Sequence, residues 1–190
     1  MQNKLNDLSD FPFISVSLSE DVKPLLTTNT KFVLEKYGLP KVSPSFKFES
    51  YSQILNKDSI VEYKGDEYIV IREGRTDDIC IKVETNEIVF VPHLVNISSD
   101  NELLGEAIFV NSTLEQYLQC LMMFASSKIE QGKIREKLSE TNSQSEAEQI
   151  RKQLNELFER LKMEMQKIDE FAFDTEAWWS LHLEDLNFMY

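Results

Sequence analysis

The run from Ser59 to Pro92 limits the fold most, because apolar and polar residues alternate through it with a period of two and turn signals interrupt it three times. The turns fall at Lys64-Gly65-Asp66, at Glu73-Gly74-Arg75-Thr76-Asp77-Asp78 and at Thr85-Asn86-Glu87. Links this short join neighbouring antiparallel strands, so the run predicts a four-stranded meander. Ile79, Ile81 and Val83 share one face, whereas Ile69-Val70-Ile71 and Ile88-Val89-Phe90-Val91 are apolar on both. Those two stretches are expected to be central strands covered on each side. The third turn lacks glycine, but asparagine tolerates the left-handed conformation nearly as well.

A fifth short strand, Ala107 to Val110, runs straight into a helix whose start is read from Ser112 and Glu115. Standing three apart, they can cap each other's backbone N–H groups. Leu114, Tyr117, Leu118, Leu121, Met122 and Ala125 then recur at three- and four-residue steps and face a core. Upstream, Phe11, Phe13, Ile14, Val16 and Leu18 suggest an extended arm lying on the domain. Asn29 or Thr30 can cap a short helix carrying Phe32, Val33, Leu34 and Tyr37, which Gly38 and Pro40 end. Phe46 and Phe48 alternate with Lys47 and Glu49, the pattern of a half-buried strand over residues 45–51.

Beyond Ala125 the chain becomes highly charged from Lys128 to Glu140, and Thr141-Asn142-Ser143-Gln144-Ser145 marks a turn. Ile150, Leu154, Leu157, Leu161, Met165 and Ile168 form the apolar stripe of a second helix, so the two make a helical hairpin. Only Ile129, Ile134 and Leu138 face that stripe from the first arm, which predicts a thinly packed, mobile outer end. Asp174, with Glu176 in the first turn, suits the start of a last helix. The class expected is α+β, a single domain over residues 1–190 with a central antiparallel sheet flanked by helices and a long charged helical hairpin.

Charge bounds the partners. The net charge of −13 is shared almost evenly between residues 1–112 and 113–190, so it belongs to the whole surface. Such a surface repels nucleic acid and anionic lipid and attracts basic partners. Residues 1–7 lack the apolar core of a signal peptide, and the longest clean apolar run, Cys120 to Ala125, is far too short to span a membrane; a cytoplasmic protein is expected. Cys80 and Cys120 fall on a strand and a core helix and read as buried free thiols. Asn96-Ile97-Ser98 and Asn111-Ser112-Thr113 match the glycosylation pattern, by chance in a protein that is not secreted.

Chemistry-bearing motifs do not assemble. The five glycines stand singly and offer no phosphate-cradling loop, while His93 and His182 have no metal-ligand spacing with cysteine or carboxylate. No enzyme, cofactor or metal site is read here. Candidate recognition residues are the loop acids Asp66, Glu67, Glu73, Asp77 and Asp78, because loops on a rigid sheet can present charge to a cationic groove. Past Asp169 there is no lysine or arginine, and Glu176, Glu184 and Asp185 join the candidates. Trp178 and Trp179 are core residues by default; in the sharper reading Trp179 exposes an edge as a binding anchor. Solvated helices with i to i+4 pairs among Lys133, Glu136, Lys137 and Glu140 are the plain reading of the hairpin, and a homodimer through the Ile150 to Ile168 stripe is the sharper one.

Four blocks, Tyr37-Gly38-Leu39-Pro40, residues 68–91, Phe109 to Leu121 with its Phe-Val-Asn-Ser-Thr-Leu run, and Asp169 to Leu186 with its paired tryptophans, resemble the fourth immunity-protein branch of the SUKH superfamily. The resemblance covers about half of the chain. It implies an α+β antidote, encoded beside a polymorphic bacterial toxin that is often a nuclease or deaminase, which binds the toxin and blocks its active site without catalysis. Residues 128–168 look longer than the family core requires and read as an insertion that chooses the partner. The alternative implied by other branches of the superfamily is an intracellular scaffold or signalling adaptor.

Overall fold

The computed structural model describes residues 13–41, 51–74, 77–92, 105–174, 177–180 and 183. The first part of the chain forms β1 (Phe13–Ile14), β2 (Ser17–Leu18), α1 (Thr28–Lys36), β3 (Leu39–Pro40) and β4 (Ile54–Leu55). β1 pairs antiparallel with β3, and β2 pairs in parallel with β4, so the extended arm is tied to the domain along two short ladders. α1 starts earlier than the sequence suggests. Thr27 is its cap, accepting from the Thr30 N–H, because the Asn86 side chain takes the Thr27 N–H at 2.8 Å and its own backbone is extended. Gly38 ends the turn with φ 76, and a Cβ there would lie 1.8 Å from the Ile14 carbonyl oxygen. Only glycine fits beneath β1.

The central sheet has five antiparallel strands in chain order: β5 (Ile60–Tyr63), β6 (Asp66–Glu73), β7 (Asp77–Lys82), β8 (Ile88–Pro92) and β9 (Ile108–Asn111). The expected meander supplies the first four. Lys64 and Gly65 both adopt positive φ, 53 and 87, the primed-turn geometry whose twist matches flanking strands. Asn86 adopts φ 62, as the third turn requires. A bulge at Ile71 shifts the β6 to β7 register and turns its carbonyl to the Ser52 N–H at 2.9 Å. Tyr51 bridges Arg72; the rest of the strand expected over residues 45–51 lies outside the described residues.

The sheet separates two apolar clusters, as the doubly apolar strands imply. Ile69, Ile71, Ile79, Ile81, Ile88 and Val110 join the main core with residues of α1 and the later helices. Tyr63, Tyr68, Val70, Cys80, Val89 and Val91 form a second cluster. Both cysteines are free and buried; burial raises the Cys80 thiol well above its usual range and pushes Cys120 up to about 12, so neither is a ready nucleophile.

α2 (Leu114–Glu140) runs unbroken through the change in composition at Ala125, and α3 (Gln144–Ile168) folds back along it. Leu114, Tyr117, Leu118, Leu121, Met122 and Ala125 are buried, as their spacing predicts. The cap is displaced by one residue from the expected pair: Thr113, not Ser112, accepts from the backbone, and its partner is Gln116, not Glu115. Leu161 and Met165 reach the main core, while Ile150, Leu154 and Leu157 are buried further out along the hairpin. At the outer end Ile134 and Leu138 are half-buried and Ile129 is 56% exposed. Arg160 clamps Glu130 with two bonds of 2.9 and 2.8 Å, so an ion pair crosses between the helices and does not merely run along one of them.

Candidate partner interface

Strand geometry divides the loop acids. Asp66 and Glu67 open β6 and Glu73 closes it, roughly 23 Å away, facing Asp78 across the ladder. The five candidates therefore form two groups at opposite ends of the sheet. Glu67 and Glu73 are exposed. Asp77 is not a free acid: its carboxylate meets the Arg72 guanidinium at 2.6 Å, and Arg72 is only 1% exposed. A buried guanidinium needs a partner, which makes this pair part of the fold. Asp78 accepts from the Gly74 N–H at 3.3 Å. Glu176, Glu184 and Asp185 lie outside the described residues.

Trp179 is a correction to the anchor reading. It is fully buried, its ring 5.6 Å from that of Phe124 and 4.7 Å from that of Trp178, and its Nε1–H donates to Asn111 Oδ1 at 2.8 Å. A side chain satisfied in this way meets no partner from the surface. Asn111 is equally buried, so its glycosylation match is sterically closed. Its Nδ2 donates to Asp169, which also accepts from the Ser112 N–H at 2.7 Å and the Ser112 hydroxyl at 3.0 Å. Asp169 claims Ser112, which explains why the helix cap falls to Thr113. Gln116 completes the clamp by donating to the Ile168 carbonyl at 2.8 Å. The Phe-Val-Asn-Ser-Thr-Leu run is thus a structural joint that locks β9, the base of the hairpin and the tryptophan segment together.

On the face of the second cluster there is a groove of about 310 Å³ lined by Tyr63, Tyr68, Lys82, Glu87 and Glu106 among others. Lys82 pairs with Asp66 at 2.7 Å, and the Tyr68 hydroxyl donates to the same carboxylate at 3.3 Å. That bond to Lys82 holds the Asp66 carboxyl below, and the Lys82 ammonium above, their ordinary ranges. Burial, helped by the nearby carboxylate, raises the Tyr68 phenol, which stays neutral. The other wall comes from an unexpected direction. β5 and β9 are opposite edges of the sheet, yet Gly105 accepts from the Tyr63 hydroxyl and Glu106 pairs with Lys64 at 2.6 Å. Residues 105–107, just before β9, therefore lie over the sheet face as a strap. Asp66 was legible as a candidate; Glu87 and Glu106 were not, since nothing local marks residues joined by a crossing that long.

Among the described residues no group of three or more His, Cys, Asp or Glu side chains is placed to hold a metal ion, and no helix is long and apolar enough to cross a membrane. The fold defines an α+β domain whose antiparallel sheet is backed by helices on one face and carries a charged groove on the other. Comparison with known families fixes which such domain it is: the model of the SUKH-4 immunity protein family matches residues 18–185, and the chain belongs to that family. No curated protein and no solved structure matches it. Membership implies a cognate toxin as partner, and immunity proteins are generally not enzymes.

Proposed function

We propose that this protein neutralises the toxin encoded beside it by binding directly over a basic active-site cleft, that the toxin is a nuclease or deaminase, and that the antidote acts in the cytoplasm without catalysis. The family match over residues 18–185 carries the reading. Charge supports the mode of action: a net −13 surface, with Glu67 and Glu73 exposed at the two ends of the sheet, steers toward a cleft built to hold phosphates and competes for it. The helical hairpin is the element we assign to partner choice, because it projects apolar and charged side chains, Ile129 and Met163 among them, that the domain core does not use. The stripe from Ile150 to Met165 is already buried in the chain, so a dimer through the hairpin would have to use its outer face. Co-expression tests the proposal. Cells making the adjacent toxin should survive only with this protein, and the purified pair should elute as a stoichiometric complex; failure of rescue refutes it.

A further inference from the structure

The net charge divides evenly along the chain but not between its elements. Residues 128–168, the hairpin, hold nine lysines and arginines against eight acids, so they are +1 and the rest of the chain is −14. Much of the hairpin's charge is also matched within it: Arg160 with Glu130 at 2.8 Å, Lys152 with Glu156 at 3.8 Å, and Lys167 with Glu164. A balanced surface makes little field beyond a Debye length, about 10 Å at 0.1 M salt, so the hairpin must hold a partner through short-range contact. It also reaches far. From Phe158, which packs on the main core, to Gln144 at its start, α3 extends roughly 20 Å.

Two features of α2 coincide at one place on this neutral element. Ile129 is 56% exposed, although isoleucine is among the residues most often buried. Three residues on, and so beside it on the helix surface, stands Gly132, inside an unbroken helix that glycine weakens relative to alanine. The fold does not ask for glycine there: the backbone is helical, and a Cβ would meet nothing within 4 Å. An exposed apolar knob beside an open notch is a surface shaped for close approach by another chain. Met163, also exposed, stands two residues from both Leu161 and Met165, on the far side of α3 from its buried stripe, and has no glycine near it in sequence.

We infer that Ile129 and Gly132 form a docking surface for the toxin outside its basic cleft, the guest being an apolar side chain on near-neutral toxin surface that enters the notch and packs on the isoleucine. This deepens the proposed function and rests on it: the acidic remainder of the chain meets the cleft, and the neutral hairpin meets what lies beside it. A second copy is disfavoured as the occupant, because each would bring −14 with it.

Substitution at Gly132 separates a binding role from a structural one, since the two give opposite signs. G132A should raise the urea midpoint of unfolding, because alanine favours the helix and finds open space, and yet weaken binding of the adjacent toxin about threefold. G132L, which fills the notch, and I129A should weaken it about tenfold or more, and M163A by less than about twofold. The losses should lie in the dissociation rate and be the same at roughly 50 and roughly 500 mM salt. A G132A protein less stable than wild type would show that the fold needs the glycine and overturn the inference. Normal toxin binding by G132L and I129A overturns it too and leaves immunity intact, whereas a wild-type protein that binds no toxin overturns both. Sedimentation velocity excludes the other occupant: the wild-type chain alone should be monomeric, and a dimer that G132L dissolves would give this surface to a second copy and not to the toxin.

Discussion

Asp169 is held by hydrogen bonds and not by a cation among the described residues, accepting from Ser112 twice, from Asn111 and from the Phe171 N–H. Removing the acceptor strands several buried donors at once, so Asp169→Ala should cost roughly 3–5 kcal/mol in urea unfolding. A loss under about 1 kcal/mol would show the joint to be redundant. Gly38→Ala combines positive φ with a backbone clash and should cost about 3 kcal/mol, against about 1 kcal/mol for Gly65→Ala, where a Cβ meets nothing within 4 Å. The paired unfolding curves check the ordering. For Asp66 the sign follows from its lowered folded value: the stabilisation is complete above the ordinary carboxylate range and is lost as pH falls through the depressed value. Lys82→Met should therefore flatten the acid limb of the stability profile, read as urea midpoints across falling pH. Asn86 shows what a residue-level reading reaches. Its positive φ was legible from asparagine in a turn; its bonds to Thr27 and to the Leu25 carbonyl, which tie that turn to α1, span 59 and 61 residues and leave no local trace.

At the scale of elements, period and turn chemistry located β5 to β9 and both long helices, because each signal acts within a few residues. Helix starts slipped for the opposite reason. Thr27 and Thr113 became caps when distant partners, Asn86 and Asp169, took neighbouring backbone or side-chain groups. The hairpin divides in two: its inner end supplies Leu161 and Met165 to the core, whereas its outer end buries only its own stripe. Replacing residues 133–156 with a short loop should therefore leave cooperative unfolding of the sheet and tryptophan core in place. Trp fluorescence during denaturation measures this, and collapse to an unfolded chain would show that the outer end supports the domain. If that end chooses the partner, the shortened protein should fold and yet fail to rescue.

For the whole molecule, charge acts through rate. A −13 protein meeting a basic toxin should associate at least about tenfold more slowly at roughly 500 mM than at roughly 50 mM salt, with dissociation changing less. Stopped-flow mixing across that range checks it, and a flat rate would mean that steering plays no part. By itself the amino-acid sequence determined the α+β class, the meander, the helix faces and the buried thiols, since these follow from short-range periodicity and composition, while the family resemblance rested on particular motifs such as the Phe-Val-Asn-Ser-Thr-Leu run. The tertiary structure alone decided which acids are free and which are spent. Asp77 against Arg72, Trp179 against Asn111, and the strap that carries Glu106 across the sheet to Lys64 all depend on residues brought together by chain topology, and contacts of that kind have no periodicity to read.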